Sequence, residues 1–238
     1  MQEHFAIDHI WFCDDIFGLK PFWVAEFAQL VLLEDMQLNY KIQSRADLLL
    51  QEDYVKNLAL SGCSNVWMGA ESGSQKILDA MDKGITIEQI AAATALLKQY
   101  KIHPSFFLQF GYLGETKEDI LKTIEMVNKL KPHSIGISVS YPLQGTVFYE
   151  KVKNDLQQKA NWKHSDDLDM MFKNTYQPSF YKTLHSFVHK NFQFQNAVAS
   201  VKKSGKRDFS VKSKYIKNLL KLGYYYLSSA YLKYQLGL

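Results

Sequence analysis

A glutamate set between glycines is the clearest candidate for chemistry in this sequence. Glu71 lies in the run Gly69 to Ser74 (GAESGS), which follows the apolar stretch Asn65 to Gly69 and precedes a helical pattern. Enzymes built from alternating strands and helices place their reactive groups where strands end. The first turn of the next helix can also offer free backbone N–H groups to a polar ligand. We therefore expect Glu71, with Ser72 and Gly73, to face a bound molecule.

Alternating strand and helix patterns over residues 1–150 predict how Glu71 is positioned. The predicted strands are Phe5 to Phe12, Leu38 to Gln43, Asn65 to Gly69, Pro104 to Phe110 and Ser134 to Ser140. The predicted helices are Phe22 to Leu33, Glu52 to Leu60, Gln75 to Met81, Ile87 to Tyr100 and Lys117 to Lys129, with capping signals at Thr86 and Thr116. Such alternation predicts parallel strands joined by right-handed helical crossovers.

The turns that follow these strands should meet, because parallel strands put their carboxyl ends on one rim. Each turn has an ordinary structural explanation, such as helix capping by an aspartate or a surface ion pair. Five polar or glycine-rich turns on one rim nevertheless favour a binding site. Its candidate residues are Asp14, Asp15, Arg45, Glu71, Ser72, Gly73, Gly111 and Gly114.

Composition and charge divide the chain into two parts. Its 238 residues, 47% of them hydrophobic, suffice for one α/β domain and an appendage. Residues 1–150 carry 12 Lys and Arg against 19 Asp and Glu, whereas residues 151–238 carry 16 against 5. We predict an acidic body over 1–150 and a basic, mainly helical extension over 151–238. In the extension, Tyr181 to Phe194 is predicted to be helical, and Val211 to Leu236 a helix or helix pair broken near Gly223.

Cysteine content and hydropathy indicate the compartment. No apolar run approaches the length of about 18 residues that crosses a bilayer, and the first residues lack the features of a signal peptide. Cys13 and Cys63 are too few for a disulfide framework. We therefore expect a globular, cytosolic protein.

Six segments, taken in order, resemble the radical SAM superfamily. The similarity covers about residues 4–150, and the nearest branch often carries an N-terminal cobalamin-binding domain and includes anaerobic porphyrin-ring cyclases and methyltransferases. It implies a partial TIM-like (β/α) barrel with five of the family's six βα units, followed by a helical appendage. The segments are Phe12 to Phe17 (FCDDIF), Ser44 to Asp47 (SRAD), Gly62 to Ser74 (GCSNVWMGAESGS), Met81 to Thr86 (MDKGIT), Gly111 to Thr116 (GYLGET) and Tyr141 to Thr146 (YPLQGT).

The resemblance implies S-adenosylmethionine (SAM) as a cofactor and assigns roles to the rim. It places a SAM contact at Glu71, whose carboxylate can accept hydrogen bonds from both ribose hydroxyls. The Asp14-Asp15 turn corresponds to the edge that meets the methionine amine, and Arg45 can bind the methionine carboxylate. The glycines of the Gly111 to Thr116 segment would let the backbone approach the adenine.

The cluster loop of this family is missing from the sequence. Radical SAM enzymes hold a [4Fe–4S] cluster through Cys-x-x-x-Cys-x-x-Cys after the first strand, and two cysteines cannot supply three thiolates. Cys13 ends a predicted strand whereas Cys63 precedes one, so we expect them at opposite rims and assign no metal ligands. We expect the chain to begin just after the cluster-bearing unit, and a cobalamin domain, where present, would precede it.

These observations predict part of a radical SAM enzyme that modifies an organic substrate, by methyl transfer or ring formation, and is inactive alone. Its expected partners are that substrate and an N-terminal cluster-bearing or cobalamin-binding segment. The sequence assigns no catalytic residue. Two alternatives stay open: a cluster-less SAM-binding or scaffold protein, and a partial-barrel lyase or hydrolase that uses Asp14, Asp15 and Glu71 as acid and base.

Other features have more ordinary explanations. The i, i+4 pair His185 and His189 is interpreted as a helix face rather than a metal site, and Phe106 and Phe107 as barrel packing. The basic C-terminal helix is interpreted as a cap on the barrel, with docking to an anionic membrane surface or a partner as the alternative. No recognisable RNA-binding module is present, so nucleic acid is not an expected partner.

Overall fold

The computed structural model describes residues 7–156, 168, 170–204 and 212–238. The chain divides into two compact units, Met1–Leu108 with Leu130–Gly136 and Gln109–Lys129 with Ile137–Leu238. The predicted domain boundary at residue 150 stays a prediction.

Five strands form one sheet in chain order, which confirms the predicted partial (β/α) barrel with C-terminal helices. The β1–β2, β2–β3 and β3–β4 pairs are all parallel. β1 is shorter than the predicted first strand, whose residues 5 and 6 lie outside the described part of the chain. The strands are β1 (Ile10–Trp11), β2 (Tyr40–Ser44), β3 (Cys63–Glu71), β4 (His103–Phe110) and β5 (Ser134–Val139).

Helices follow the strands as the hydrophobic periodicity predicts. The cap predicted at Thr86 is confirmed as a capping box, because its hydroxyl accepts from the N–H of Gln89 and the Gln89 side chain accepts from the N–H of Thr86. Thr116 and Asp119 make the same reciprocal pair before the fifth helix. The helices are α1 (Pro21–Leu33), α2 (Glu52–Leu60), α3 (Gln75–Ala80), α4 (Ile87–Gln99), α5 (Lys117–Leu130), α6 (Val147–Val152), α7 (Pro178–Ser204) and α8 (Lys212–Leu236).

The alternation of side chains along β3 creates two different faces. Val66, Met68 and Ala70 are fully buried, whereas Trp67 and Gly69 on the other face are only partly covered. A period of two places alternate residues on opposite faces of a strand. The buried face therefore forms the hydrophobic core with the helices, and the other face is available to a ligand.

Two long helices, α7 and α8, end the chain in the second unit. Lys190 of α7 donates a hydrogen bond of 3.1 Å to the hydroxyl of Tyr224, and its ammonium lies 4.5 Å from the centre of that ring. Of the two alternatives predicted for residues 211–236, the structure shows the single helix, because α8 runs through Gly223. One exposed glycine costs a helix about 1 kcal/mol, a cost that packing along α7 can offset. No helix in the described part of the chain is long and apolar enough to cross a membrane.

Candidate functional site

A cleft of about 410 Å³ opens at the carboxyl-terminal rim of the first unit. This volume lies within the range of about 300–1,000 Å³ that is usual for small-molecule sites. The turns after β1 and β2, the end of β3 and the loop after α3 all contribute to its lining. Its lining includes Asp15, Arg45, Glu71, Lys83, Trp67 and Phe107.

Glu71 is the last residue of β3, and its carboxylate lies in the cleft. The ammonium Nζ of Lys83 is 2.9 Å from Glu71 Oε1, and the glutamate side chain is 13% exposed. Glu71 has a φ of 54°, a left-handed conformation that is uncommon outside glycine and costs about 1–3 kcal/mol. Such strain persists only where the surroundings enforce it, and it often marks a functional site. The conformation turns the chain at the end of the strand.

Lys83 reaches Glu71 because the turn after α3 is tightly folded. Asp82 and Gly84 on either side of it have φ values of 56° and 64°, and the Lys83 N–H donates to the carbonyl of Leu78 at 3.1 Å. Gln75, at the start of α3, braces the far end of this loop by accepting from the Ile87 N–H at 3.2 Å. The lysine is therefore presented by a braced loop.

Gly69 provides the space that the Glu71 carboxylate occupies. A methyl group added at Gly69 would lie 2.7 Å from Glu71 Oε1, closer than van der Waals contact permits. The backbone of Gly69 is not left-handed, so a close approach, and not conformational freedom, requires glycine here.

Arg45 follows β2 and lines the cleft, but its guanidinium is already bound. Its Nε and Nη2 donate to the two carboxylate oxygens of Asp47 at 2.9 and 3.1 Å. These hydrogen bonds hold the pKa of Asp47 below its ordinary value. The pair is about half exposed, so the guanidinium still has donors for a further anion.

The turn after β1 separates its two aspartates. Asp15 lines the cleft, whereas Asp14 lines a neighbouring apolar cavity. The turn is fixed at Phe17, whose N–H donates to the carbonyl of Gln43 at 2.9 Å and whose carbonyl accepts from the hydroxyl of Tyr54 at 2.6 Å. The α2 helix thus holds Asp15 beside the end of β2.

Ser72 and Gly73 lie just beyond Glu71 and are not among the described residues that line the cleft. Ser72 is fully buried, its N–H donates to the carbonyl of Ala70 at 2.7 Å, and its hydroxyl accepts from the N–H of Ser74 at 3.1 Å. These contacts shape the turn into α3. Their role in the structure shown is to orient Glu71.

An aromatic floor lies below the charged rim. Trp67 of β3 stacks on Phe107 of β4, with ring centroids 4.7 Å apart and an angle of 28° between the planes. Gly136 of β5 makes room for both, because an added methyl group would lie 3.3 Å from each ring. Phe106 is buried, as the packing interpretation predicts, and Phe107 packs on Trp67 while its side chain also lines the cleft and is 36% exposed.

The two predicted rim glycines after β4 belong to the second unit. Gly111 has a φ of 78°, its N–H donates to Glu115 Oε2 at 2.6 Å, and its carbonyl accepts from Asn174 at 2.6 Å. An added methyl group there would lie 2.9 Å from Met170. Internal packing therefore explains this glycine. Gly114 has a φ of 75° and open space around it, so only its backbone conformation calls for glycine.

The two thiols lie at different levels of the sheet. Cys63 opens β3 opposite Tyr40 and so is level with Ile10 of β1, whereas Cys13 follows the end of β1. Burial raises the pKa of the Cys63 thiol to about 12, which disfavours the thiolate that a metal requires. Within the described ranges, no three His, Cys, Asp or Glu side chains are grouped to hold a metal ion.

This arrangement suits a molecule with a planar apolar part and a charged, hydroxyl-bearing part. The sequence brought Asp15, Arg45 and Glu71 together correctly, but it missed Lys83 and the aromatic floor. The Lys-Gly pair after α3 was a signal for a lysine held by a tight turn. Because side chains alternate from Asn65 to Glu71 of β3, the sequence could have predicted that Trp67 lies on the same face as Glu71.

Comparison with known families gives one match over half of the chain. Residues 4–127 match the model of the radical SAM superfamily. The uncharacterized methyltransferase PH0819 of Pyrococcus horikoshii is 28% identical over 174 residues, which are 73% of this chain and 38% of that protein. The chain therefore spans less than half the length of this curated relative.

Solved structures show the same fold at low sequence identity. The cobalamin-dependent SAM radical enzyme OxsB, with aqua-cobalamin bound, has a TM-score of 0.63 and 17% identity over 98% of this chain and 40% of its own. The radical SAM methyltransferase TsrM from Kitasatospora setae, with cobalamin and a [4Fe–4S] cluster bound, has a TM-score of 0.52 and 20% identity over 58% of this chain and 28% of its own.

Proposed function

This chain belongs to the radical SAM superfamily, and on that premise we propose that its rim cleft binds SAM for the radical-based modification of an organic substrate. Methyl transfer or ring formation is the proposed reaction type, supported by the methyltransferase names among the relatives. SAM supplies the methyl group or, by reductive cleavage at an iron–sulfur cluster, the 5′-deoxyadenosyl radical. The residues of this chain bind and orient it.

The observation that carries this proposal is the Glu71–Lys83 pair at the mouth of the cleft. SAM carries a ribose diol, a sulfonium cation and an amino acid group, so its site needs carboxylates and a cation together. One oxygen of Glu71 is held by Lys83, which leaves the other to accept from the ribose hydroxyls. Arg45 or Lys83 can bind the methionine carboxylate, and Asp15 the amine.

The rest of the predicted set has less direct support. Asp14 lies on the neighbouring cavity, and the hydrogen bonds of Ser72 orient the turn at Gly73. We keep them in the proposal as residues that shape the site. Contact of the adenine with the backbone at Gly111 and Gly114 also stays a prediction.

The residues present do not fit a [4Fe–4S] cluster. Two cysteines at different levels of the sheet, one of them buried and protonated, cannot supply three thiolates. We propose that a segment outside this chain provides the cluster ligands and, as in the OxsB and TsrM structures, a place for cobalamin. No step of the reaction is assigned to this chain alone.

An apolar edge supports the proposed docking of that segment. β1 is the edge strand of the sheet, and Trp11 on it is 51% exposed. Leu19, Phe22 and Trp23 are also exposed, around an apolar cavity of about 620 Å³. The three exposed side chains around this cavity form an apolar patch, and such patches usually mark interaction sites. A preceding βα unit that paired with β1 would cover it.

The experiment for this proposal is anaerobic reconstitution of the chain with iron and sulfide. We expect no stoichiometric cluster and no 5′-deoxyadenosine from the chain alone. Reading the native transcript upstream of Met1 should then reveal an in-frame Cys-x-x-x-Cys-x-x-Cys, and adding that segment should restore SAM cleavage. A cluster and 5′-deoxyadenosine from the isolated chain would contradict the proposal.

A cluster-less SAM-binding or scaffold protein is the second candidate function. The high pKa and burial of Cys63 favour it, because no thiolate set is poised for metal. The two candidates predict different transcript sequences upstream of Met1. The scaffold would be supported if the in-frame cysteine loop were absent and SAM were bound stoichiometrically but never cleaved. The two free thiols support a reducing compartment, so a cytosolic location is part of either proposal.

The C-terminal helix supports a proposal of peripheral membrane contact. Five large side chains that are each more than half exposed recur with helical spacing along one face of α8, and the region around them is strongly basic. Aromatic and aliphatic stripes with lysines are typical of helices that lie on anionic lipid surfaces. Binding to phosphatidylserine vesicles but not to neutral vesicles tests this. The stripe is Leu220, Tyr224, Leu227, Tyr231 and Tyr234.

A further inference from the structure

A second cavity, of about 320 Å³, lies at the amino-terminal end of β4, opposite the rim that holds the cleft. Along β4 the two sites are separated by roughly 17 Å, taking about 3.3 Å for each residue from its first residue to the partner of Glu71. Five basic side chains line it: Lys98 of α4, Lys101 in the next turn, His103 of β4, and Lys131 and His133 before β5.

The positive charge of this basic cavity is not balanced by its walls. No carboxylate is found among the described residues that line it. Each helix C-terminus carries about half a negative charge, so the nearby ends of α4 and α5 offset about one of the three lysine charges. Lys98 uses one of these ends, because its ammonium donates to the carbonyl of Leu130 at 2.6 Å. About two positive charges remain, inside a part of the chain that is acidic overall.

The titrating groups in the cavity show the same shortage of negative charge. The pKa of Lys98 is lowered first by burial and then by repulsion from Lys131. The pKa of His133 is lowered by burial and by His103, whose ring stacks on it with centroids 4.3 Å apart and planes 24° apart. A bound anion would relieve both repulsions.

The lysines are also held in unusual backbone positions. Lys101 and Lys131 have φ values of 61° and 48°, the left-handed conformation in which glycine or asparagine is the favoured residue. These are the positions just after α4 and α5 where the chain must turn. Lysine at both places puts two flexible ammonium groups at the cavity although a smaller residue would suit the backbone better.

We propose that this cavity binds a phosphate-class anion with at least two negative charges. Inorganic pyrophosphate, inorganic phosphate and the terminal phosphate of an ester share the chemistry that the site recognises. The ammonium groups of Lys101 and Lys131 bind the phosphate oxygens, and Lys98 supports them from the wall. Lysine is a common phosphate ligand, and charge-assisted hydrogen bonds are the strong ones.

Protonation should couple to this binding. His103 and His133 face the same space as the three lysines, and these five groups are the titratable side chains that line it. The pKa of His133 is lowered from its ordinary value, so this imidazole is largely neutral at pH 7 and should take up protons when an anion binds.

The test is a titration of the full chain with inorganic pyrophosphate at constant ionic strength. Calorimetry and the proton resonances of the histidine rings report the binding. The variant is Lys101→Asn with Lys131→Asn, since asparagine tolerates the left-handed backbone. The control, Lys56→Gln with Lys221→Gln, removes the same charge elsewhere. Methyl phosphate in a parallel titration shows whether a terminal phosphate suffices or a diphosphate is needed.

We expect saturable pyrophosphate binding that raises the pKa of His133 and weakens about tenfold or more in the asparagine variant but not in the control. Glu71→Gln should leave this binding unchanged, and the asparagine variant should leave SAM binding unchanged, so the two sites are tested separately. Absence of saturable binding, equal weakening in the control, or unshifted histidine resonances in the wild-type protein would each overturn the proposal.

Discussion

Lys83 Nζ lies 2.9 Å from Glu71 Oε1, and this contact joins the loop after α3 to the end of β3. The glutamate is held in a left-handed conformation, and Gly69 leaves the space that its carboxylate fills. A carboxylate fixed in this way loses little freedom when a ligand arrives, which lowers the cost of binding. The pair therefore preorganises the cleft.

Removing the lysine should release the carboxylate. We expect Lys83→Gln to weaken SAM binding about tenfold, because the charge-assisted hydrogen bond that fixes Glu71 is lost. Calorimetry of SAM binding measures the effect, with Lys56→Gln as a control of equal charge change on α2. Wild-type affinity in Lys83→Gln would show that the ion pair has no part in placing the carboxylate.

The left-handed backbone at Glu71 should cost stability, whereas its carboxylate should be needed for SAM binding. Glu71→Gly should be about 1 kcal/mol more stable than Glu71→Ala, since glycine adopts a φ of 54° without steric cost. Both variants should lose SAM binding because the carboxylate is gone. Urea unfolding compares the two. Equal stability would mean that the left-handed conformation costs nothing at this site.

Gly69→Ala tests the space beside the carboxylate. The added methyl group meets the flexible end of Glu71 at 2.7 Å, so the side chain should move while the fold remains. We expect a change in the free energy of unfolding below about 1 kcal/mol, since the backbone suits alanine, together with a clear loss of SAM affinity. Gly84→Asn, in open space on the neighbouring loop, is the comparison variant. A large loss of stability in Gly69→Ala with unchanged SAM affinity would contradict this prediction.

Sequence periodicity predicted the strands and helices well because most of them depend on local signals. Burial along β3 alternates from Asn65 to Glu71, and Thr86 carries the side chain and spacing of a capping box. The sequence left a break near Gly223 open, and α8 runs through it because a glycine penalty is small beside the packing of a helix 25 residues long. That packing is a long-range property.

The candidate site was predicted only in part, for a related reason. Asp15 and Arg45 follow strands and Glu71 ends one, so the topology alone brings them to one rim. Lys83 reaches the rim through a turn whose left-handed residues have no strong sequence signal besides Gly84. Phe106 and Phe107 are equally apolar, so alternation along β4 could not show in advance that Phe107 lines the cleft while Phe106 is buried.

Acid should destabilise the second unit through His189. Burial, and then the nearby His185, lower the pKa of His189 in the folded chain, and the two rings lie 4.5 Å apart. The unfolded chain therefore binds more protons below pH 6.5, so the stability present above that pH should be lost as the pH falls. Thermal unfolding between pH 8 and 5 measures this slope.

Replacing the titrating ring provides the matched comparison for that slope. We expect His189→Gln to flatten the fall in melting temperature, and His9→Gln, at an exposed position, to leave it unchanged. A pH profile of His189→Gln that follows the wild-type profile would show that this imidazole is not the group responsible.

The cleft of this chain should bind SAM through Glu71 without help from a cluster. Equilibrium dialysis with labelled SAM, in the absence of iron, measures this for the wild-type chain, Glu71→Gln and the exposed control Glu88→Gln. We expect one SAM for each chain, an affinity about tenfold or more lower in Glu71→Gln, and no change in the control. No SAM binding, or equal binding by all three proteins, would contradict this expectation.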